Sequence, residues 1–244
     1  MRRLPLILLC TALLAMGVFS SCDGDVAKGS TNSDGKVADF PTSTIPWNAS
    51  ISYGSLTDPR DGQVYRTVKI GTQTWMAQNL NFKVDSSWCQ ANSPDSCAKY
   101  GRLYQWAGAM GLDASYNSKS WSGILPRQGV CPASWHIPND AEWTVLTTFI
   151  GDSAGIKLKA TDGWESSKFG AHRGTDAYGF RVLPAGSRYG VGKFDNAGSF
   201  TFFWWASESE NAGSAWYKVV NYTDIQSNSQ GSKFTGFSVR CLQN

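Results

Sequence analysis

The first clear pattern along the chain is an alternation of apolar and polar residues from Val64 to Ile70. Successive side chains of a β-strand point to opposite faces, so this alternation predicts a half-buried strand. Gly71-Thr72 follows with the Gly-x form of a two-residue turn, and Gln73 to Ala77 resembles a returning strand. The segment therefore predicts a β-hairpin.

The clearest helical pattern begins after Pro138. Asn139 can act as the N-cap, and Glu142 can reach back to its backbone as in a capping box. Apolar residues then recur at helical spacing, at Trp143, Leu146 and Ile150. Gly151 stands where a C-terminal cap is expected. The pattern predicts a helix from about Asp140 to Ile150.

Two other segments carry shorter patterns. The stretch from Tyr100 to Met110 places four apolar residues on one helical face, with Gly111 as a stop: Leu103, Trp106, Ala107 and Met110. We expect a first helix there. The run from Ile156 to Ala160 has the length and composition of a short strand.

The last third of the chain alternates short apolar runs with glycine-rich turns. The runs that predict strands are 179–184, 201–207, 216–221 and 236–242. Strands that follow two helices indicate an α+β fold with short antiparallel strands. Residues 57–244 are expected to form one such domain.

The N-terminus has the composition of a secretory signal. Arg2 and Arg3 precede an apolar run, and small residues lead to Cys22, which is typical of a signal peptide over residues 1–21. The residues before Cys22 resemble the lipobox of bacterial lipoproteins, which implies lipidation of Cys22. An ordinary cleaved signal with a spare cysteine is the alternative. Residues 22–56 are rich in Ser, Thr, Gly and Asp and predict a flexible tether, with a docked strand near its end around Trp47, Ile51 and Tyr53.

The net charge and the expected cellular location limit the classes of partner that the protein can be expected to bind. Without the signal, 20 of the 22 basic residues and all 19 acidic residues remain, a net charge of +1. This balance gives no electrostatic reason to expect nucleic acid as a partner. We expect a lipid-anchored protein at the outer membrane or cell surface of a bacterium, with the membrane leaflet left open.

Six cysteines allow a limited set of roles. Cys10 lies in the signal and Cys22 in the lipobox, which leaves Cys89, Cys97, Cys131 and Cys241 for two disulfide bonds in an oxidising compartment. Three pairings are possible, and we favour Cys89–Cys97 across a short polar loop and Cys131–Cys241 across most of the domain. The spacing does not suit zinc, so no metal site and no cofactor is expected, although calcium bound through loop oxygens would leave no pattern.

Aromatic residues in polar loops are the best candidates for a ligand site. The chain has 11 Trp. Core spacing is found for Trp75, Trp106, Trp135, Trp143 and one of Trp204 and Trp205. Four other rings lie in or near polar loops: Trp121, Trp164, Tyr189 and Trp216. An amphipathic ring can stack on the apolar face of a sugar. Arg188 and Asp195 can add hydrogen bonds from the same long loop as Tyr189. Core packing or plain loop exposure is the alternative for each of these residues.

Catalytic patterns are weak. The two histidines, His136 and His172, have no Ser or Cys nucleophile in a recognisable motif. Glycoside hydrolysis needs two facing carboxylates, and the sequence cannot pair its acidic candidates, which include Glu142, Asp176 and Glu208. We therefore expect no enzymatic activity.

Several motifs, taken in order, resemble one bacterial family. They lie at residues 69–80, 99–106, 131–143, 179–181, 204–208 and 236–241. Together they look like the Fibrobacter succinogenes major paralogous domain, from about residue 58 to the end. The resemblance implies a secreted bacterial protein, often a lipoprotein, and carries over no biochemical activity.

A more distant resemblance concerns the fold. Two early helices and the closing segment Gly236 to Cys241 are similar to the C-type lectin-like fold, which includes the formylglycine-generating enzymes. The calcium-dependent sugar-binding motifs of true C-type lectins are absent.

We interpret the sequence as that of a lipid-anchored, extracytoplasmic binding or adhesion module. Its expected partner is a polysaccharide or another surface component. The alternative is a structural envelope protein that binds other proteins, and a carbohydrate-active enzyme is third.

Overall fold

The computed structural model describes residues 46–165, 174–221 and 225–244, with only the backbone for 225–228. The signal peptide, Cys22, most of the tether and His172 lie outside these residues. The described part contains four α-helices, α1 to α4, with bounds Pro94–Tyr100, Trp106–Ala109, Asp140–Ile150 and Ala154–Leu158. Short 3-10 helices span Gln90–Asn92 and Ala114–Asn117. Its strands, β1 to β13, span Gly54–Thr57, Val64–Ile70, Gln73–Met76, Ser87–Trp88, Leu103–Tyr104, Trp135–His136, Ser187–Arg188, Phe194–Asp195, Phe200–Glu208, Ser214–Asn221, Ile225–Ser232, Phe237–Ser238 and Leu242–Gln243.

The strands form two main sheets. The first has the order β1-β2-β3-β13-β6, and the second β11-β10-β9-β12-β5-β4. Strands β7 and β8 form a separate two-stranded hairpin. With helices beside mainly antiparallel strands, the fold is α+β, as predicted from the order of patterns in the sequence.

The predicted hairpin and main helix are confirmed. Strands β2 and β3 pair antiparallel around Gly71, whose φ of 59° suits a residue without a side chain. In α3, the side chain of Asn139 accepts a hydrogen bond from the backbone of Glu142, and the Glu142 side chain accepts one from the backbone of Asn139. The capping box therefore fixes the start of α3 at the residue that the sequence predicts.

Four local predictions are wrong. The strand expected at 236–242 is divided into β12, in the second sheet, and β13, in the first. The single helix over 100–110 is split, because Gly101 ends α1 with a φ of 72° and Leu103–Tyr104 is extended as β5. Only the one-turn α2 follows it. The predicted strand at 156–160 lies mostly in α4, and the expected strand at 179–184 makes only an isolated bridge at Val182.

Both favoured disulfide bonds are present. Cys89–Cys97 closes the loop that leads into α1, and Cys131–Cys241 joins the segment before β6 to the segment before β13. The second bond ties the end of the chain to the middle of the domain.

The core is built largely from tryptophan rings. Four of them are fully buried, at Trp75, Trp106, Trp143 and Trp204. Trp75 packs on Trp143 with ring centroids 4.9 Å apart, which joins the first sheet to α3. Trp204 packs on Phe237 at 4.5 Å within the second sheet. Close ring packing of this kind supplies large buried apolar areas per residue.

The residues just before β2 also pack on the domain. Strand β1 pairs with β2, and Trp47, Ile51 and Tyr53 lie against the core around Trp143. The end of the segment that we assigned to the tether is therefore part of the packed structure. No helix in the part of the chain that the structure describes is long and apolar enough to cross a membrane.

Candidate functional site

A short hairpin, formed by β7 and β8, lies beside the middle of the second sheet, with isolated bridges from Gly186 to Thr201 of β9 and from Arg188 to Gly236. In it, Arg188 of β7 lies opposite Phe194 of β8. The backbone N–H of Tyr189 donates to the carbonyl of Lys193 at 2.8 Å and closes the turn. The backbone N–H of Arg188 donates to the carbonyl of Gly236 at 3.0 Å. The hairpin is therefore fixed to the chain that leads into β12.

Arg188 is stacked between aromatic rings. Its guanidinium carbon lies 3.8 Å from the ring centroid of Trp88 and 5.7 Å from that of Phe194. Its Nε is buried without a hydrogen-bond partner, and no described residue forms an ion pair with it. A Cβ atom at Gly192 would lie 3.3 Å from Nη2, so this glycine leaves room for the guanidinium. The arginine is held in place by rings while its N–H donors have no acceptor among the described groups.

Three large apolar side chains are exposed beside this arginine. Tyr189 is 41% exposed, Val191 92% and Phe234 43%. Phe234 lies against the turn, because a Cβ atom at Gly190 would be 3.1 Å from the Cβ of Phe234. Single exposed apolar residues are ordinary, but several at one turn form a patch that suits a ligand. We call this set the hairpin surface: Trp88, Arg188, Tyr189, Val191, Phe194 and Phe234.

Two charged side chains of the hairpin form an ion pair with each other, and Arg188 takes no part in it. Asp195 forms an ion pair with Lys193 at 3.5 Å, and both side chains are largely exposed to solvent. Arg188 and Phe194 are directly opposite each other in the β7–β8 pair and so lie on one face, and Tyr189, the next residue after Arg188, is expected on the other. The hairpin surface therefore continues around the hairpin, with Arg188 and Trp88 on one face.

The six residues that the sequence indicated are divided by the structure. Arg188, Tyr189 and Asp195 lie together in this hairpin. The other three are half-buried and pack elsewhere. The backbone N–H of Trp121 donates to Glu208 at 2.7 Å, the indole N–H of Trp164 donates to Val182 at 3.2 Å, and Trp216 stacks on Trp205 at 6.0 Å.

Sequence reasoning missed the aromatic residues that complete the site. Trp88 comes from β4, Phe194 from β8, and Phe234 from the turn before β12. Trp88 and Phe234 are distant from Arg188 in the sequence, and no local pattern connects them. Phe194 could have been predicted, because a hairpin over residues 187–195 would place it opposite Arg188.

The comparison with known families is decisive for the class of protein. Residues 68–243 match the model of the Fibrobacter succinogenes major domain. The chain belongs to this family. No curated protein and no solved structure matches it. The matched span contains every residue of the hairpin surface.

The motifs shared with the Fibrobacter succinogenes major domain family mainly build the core. Arg240, in the closing motif, is 1% exposed and donates to Asn79 Oδ1 at 2.6 Å and to the carbonyl of Phe180 at 2.6 Å. Burial lowers its pKa to about 9. The hairpin surface lies outside these motifs, so the motifs account for the fold and not for the site.

A cleft lined mainly by polar residues lies beside the first sheet, and we call it the polar cleft. It has a volume of about 430 Å³ and is lined by Thr72, Gln73, Thr74, Pro126, His136, Glu142, Leu242, Gln243 and Asn244. His136 Nε2 is 2.8 Å from Glu142 Oε1, and its Nδ1 is 2.7 Å from Asn244 Oδ1. Both ring nitrogens therefore face oxygen atoms, which stabilises the protonated imidazole. Although burial opposes it, hydrogen bonding to Glu142 and Asn244 raises the pKa of His136.

The acidic candidates make structural contacts. Glu142 serves the cap of α3 and His136, and Glu208 pairs with the buried Lys233 and with the backbone of Trp121. Asp176 accepts a hydrogen bond from the backbone of Arg181 at 2.8 Å, and burial raises its pKa to about 6. Within the described ranges, no group of three or more His, Cys, Asp or Glu side chains is placed to hold a metal ion.

Proposed function

We propose that this protein is a non-enzymatic, lipid-anchored binding module outside the cytoplasm, and that its hairpin surface binds polysaccharide. One observation carries the proposal: a ring-stacked arginine with unused donors lies on a hairpin that also carries the exposed ring of Tyr189, and the exposed ring of Phe234 lies against the turn of this hairpin. Sugars present apolar faces that stack on aromatic rings and hydroxyl groups that accept hydrogen bonds. The hairpin surface offers both kinds of contact.

The fold we propose is C-type lectin-like. The α+β architecture and the disulfide bond from Cys241 back to Cys131, shortly before α3, support this proposal. In such a fold, a ligand site on loops beside the second sheet would be supported by a rigid core. The hairpin surface has this position, since β7 is bonded to the segment before β12.

The anchor is proposed from Cys22 and the apolar segment before it. Mass spectrometry of the protein isolated from membranes tests it directly. We expect the N-terminal peptide to begin at Cys22 and to carry a diacylglycerol thioether. An unmodified N-terminal peptide would refute the anchor without affecting the binding site.

Binding is tested by adsorption of the purified protein to a panel of insoluble polysaccharides, with calcium and then with a chelator. We expect saturable binding to at least one polymer. Tyr189→Ala and Phe234→Ala should each weaken it about tenfold, as expected when one ring contact of about 1.4 kcal/mol is removed. Phe149→Ala is the matched control, because Phe149 is 56% exposed but lies on α3.

The same panel separates the proposal from its alternative. A structural protein that binds other proteins has some support from α3, where Val145 and Phe149 are exposed. If no polymer binds, or if Phe149→Ala weakens binding as much as Tyr189→Ala does, the hairpin surface is not the polysaccharide site.

A further inference from the structure

Of the two cations in the hairpin, Arg188 and Lys193, Arg188 is the one that packs against aromatic rings. The side chain of Lys193 is 71% exposed and pairs with Asp195, whereas the guanidinium carbon of Arg188 lies over the ring of Trp88, 3.8 Å from its centroid. Phe194 approaches the same group from β8. Stacking on rings lowers the conformational freedom that an arginine must lose on binding, so its donors are already oriented.

Arg188 keeps an unsatisfied donor in the unliganded protein. Its Nε is buried without a partner, which costs free energy in the unliganded protein. The nearest carboxylate along the hairpin, on Asp195, pairs with Lys193 and points to the opposite face from Arg188. The hairpin therefore presents an arginine fork that lacks its usual carboxylate.

We infer that the hairpin surface recognises an acidic sugar, and that Arg188 binds the carboxylate of a uronic acid residue. This inference rests on the proposed polysaccharide binding and names its ligand class. A planar guanidinium binds a carboxylate through two parallel hydrogen bonds, which a neutral sugar cannot match. The rings of Trp88 and Phe194 exclude water from the pair and make it stronger than an exposed ion pair.

The probes are three polysaccharides that contain uronic acid residues, namely polygalacturonate, alginate and hyaluronate, each compared with its own methyl ester. Esterification keeps the polymer backbone and removes the charge, so the ratio of affinities isolates the carboxylate. For at least one polymer we expect the acid to bind tenfold or more tightly than the ester, because a charge-assisted bidentate contact is lost.

Variants test whether Arg188 causes the higher affinity for the acid form of the polymer. Arg188→Gln should reduce the ratio of acid to ester affinity to about one. Arg188→Lys should retain only part of the wild-type ratio, because an ammonium group cannot form two parallel hydrogen bonds with a carboxylate. Lys193→Gln, which removes the exposed neighbouring cation, should change the ratio less than twofold. Thermal unfolding of each variant shows whether it keeps the fold. The ratio of acid to ester affinity of the wild-type protein tests the preference for the carboxylate even if a variant does not fold.

The outcomes separate the two proposals. Equal binding of acid and ester, or binding of neutral polymers only, would overturn the inference and leave polysaccharide binding standing. An equal loss of preference in Lys193→Gln would also overturn it, since general charge attraction would then explain the result. If neither acidic nor neutral polymers bind, both proposals fall.

Discussion

At the scale of single residues, His136 of β6 links the first sheet to α3 and to the end of the described chain. Its ring joins Glu142 of α3 and Asn244 after β13. The pKa of His136 is raised in the folded protein. The pair therefore contributes its full stability below the unfolded pKa of about 6.5, and this contribution is lost as pH rises through the folded pKa.

We expect the free energy of unfolding to fall by about 1 kcal/mol as pH rises from 6 through the raised pKa of His136. Urea unfolding at several pH values measures it. Glu142→Gln keeps a side chain suited to the capping box but removes the negative charge, so its pH profile should be flatter. An identical slope in the variant would show that another group causes the fall.

Arg240 gives a second prediction at this scale. Its guanidinium is buried and donates to Asn79, Met76 and Phe180. Arg240→Leu would leave these acceptors buried without donors, at about 1–3 kcal/mol for each such group. We expect a loss of about 3 kcal/mol or more in urea unfolding, in accordance with a structural role for the closing family motif. Lys69→Met, at an exposed position of β2, should cost little, and a comparable loss there would contradict this assignment.

At the scale of elements, the disulfide bonds differ in what they constrain. Cys131–Cys241 closes a loop with a separation of 110 residues, and Cys89–Cys97 one of 8. The chain-entropy relation gives a contribution of about 4.8 kcal/mol for the long loop and about 2.5 kcal/mol for the short one. Replacing Cys131 and Cys241 by Ser should therefore destabilise the protein more than replacing Cys89 and Cys97. Denaturant midpoints of the two double variants compare them, and the reverse order would contradict the relation.

A helix or strand could be predicted where its local sequence pattern agrees with the contacts that it makes in the folded domain. The β2–β3 hairpin and α3 are defined by alternation, a turn and a capping box within a few residues. Helix α1 also has local signals, Pro94 at its start and Gly101 at its end. It was not predicted because the segment between Cys89 and Cys97 was interpreted as a polar loop closed by a disulfide bond. Strand β5 could not be read locally, since Leu103–Tyr104 is extended because it pairs with β4 and β12.

One strand was missed for a different reason. Strand β11, Ile225–Ser232, is polar in sequence and has no apolar alternation. It is at the edge of the second sheet and pairs only with β10. An edge strand can be polar because half of its hydrogen-bonding groups face away from the sheet, so hydropathy gives little signal for it.

At the scale of the whole molecule, the candidate site was half predictable. Arg188, Tyr189 and Asp195 could be chosen together because they lie in one segment of the chain. Trp121, Trp164 and Trp216 were chosen by the same reasoning, yet each packs against its own part of the domain. The difference depends on which loops the two sheets bring together, and topology of that kind is not encoded in any one segment.

The most direct test of the account is the location of the binding site. Backbone amide chemical shifts of the protein are compared before and after addition of an oligosaccharide from the polymer that binds. The account predicts the largest changes at residues 187–195, around Phe234 and at Trp88. Changes centred instead on the polar cleft, at residues 72–74 and 242–244, would contradict the claim that the hairpin surface binds polysaccharide.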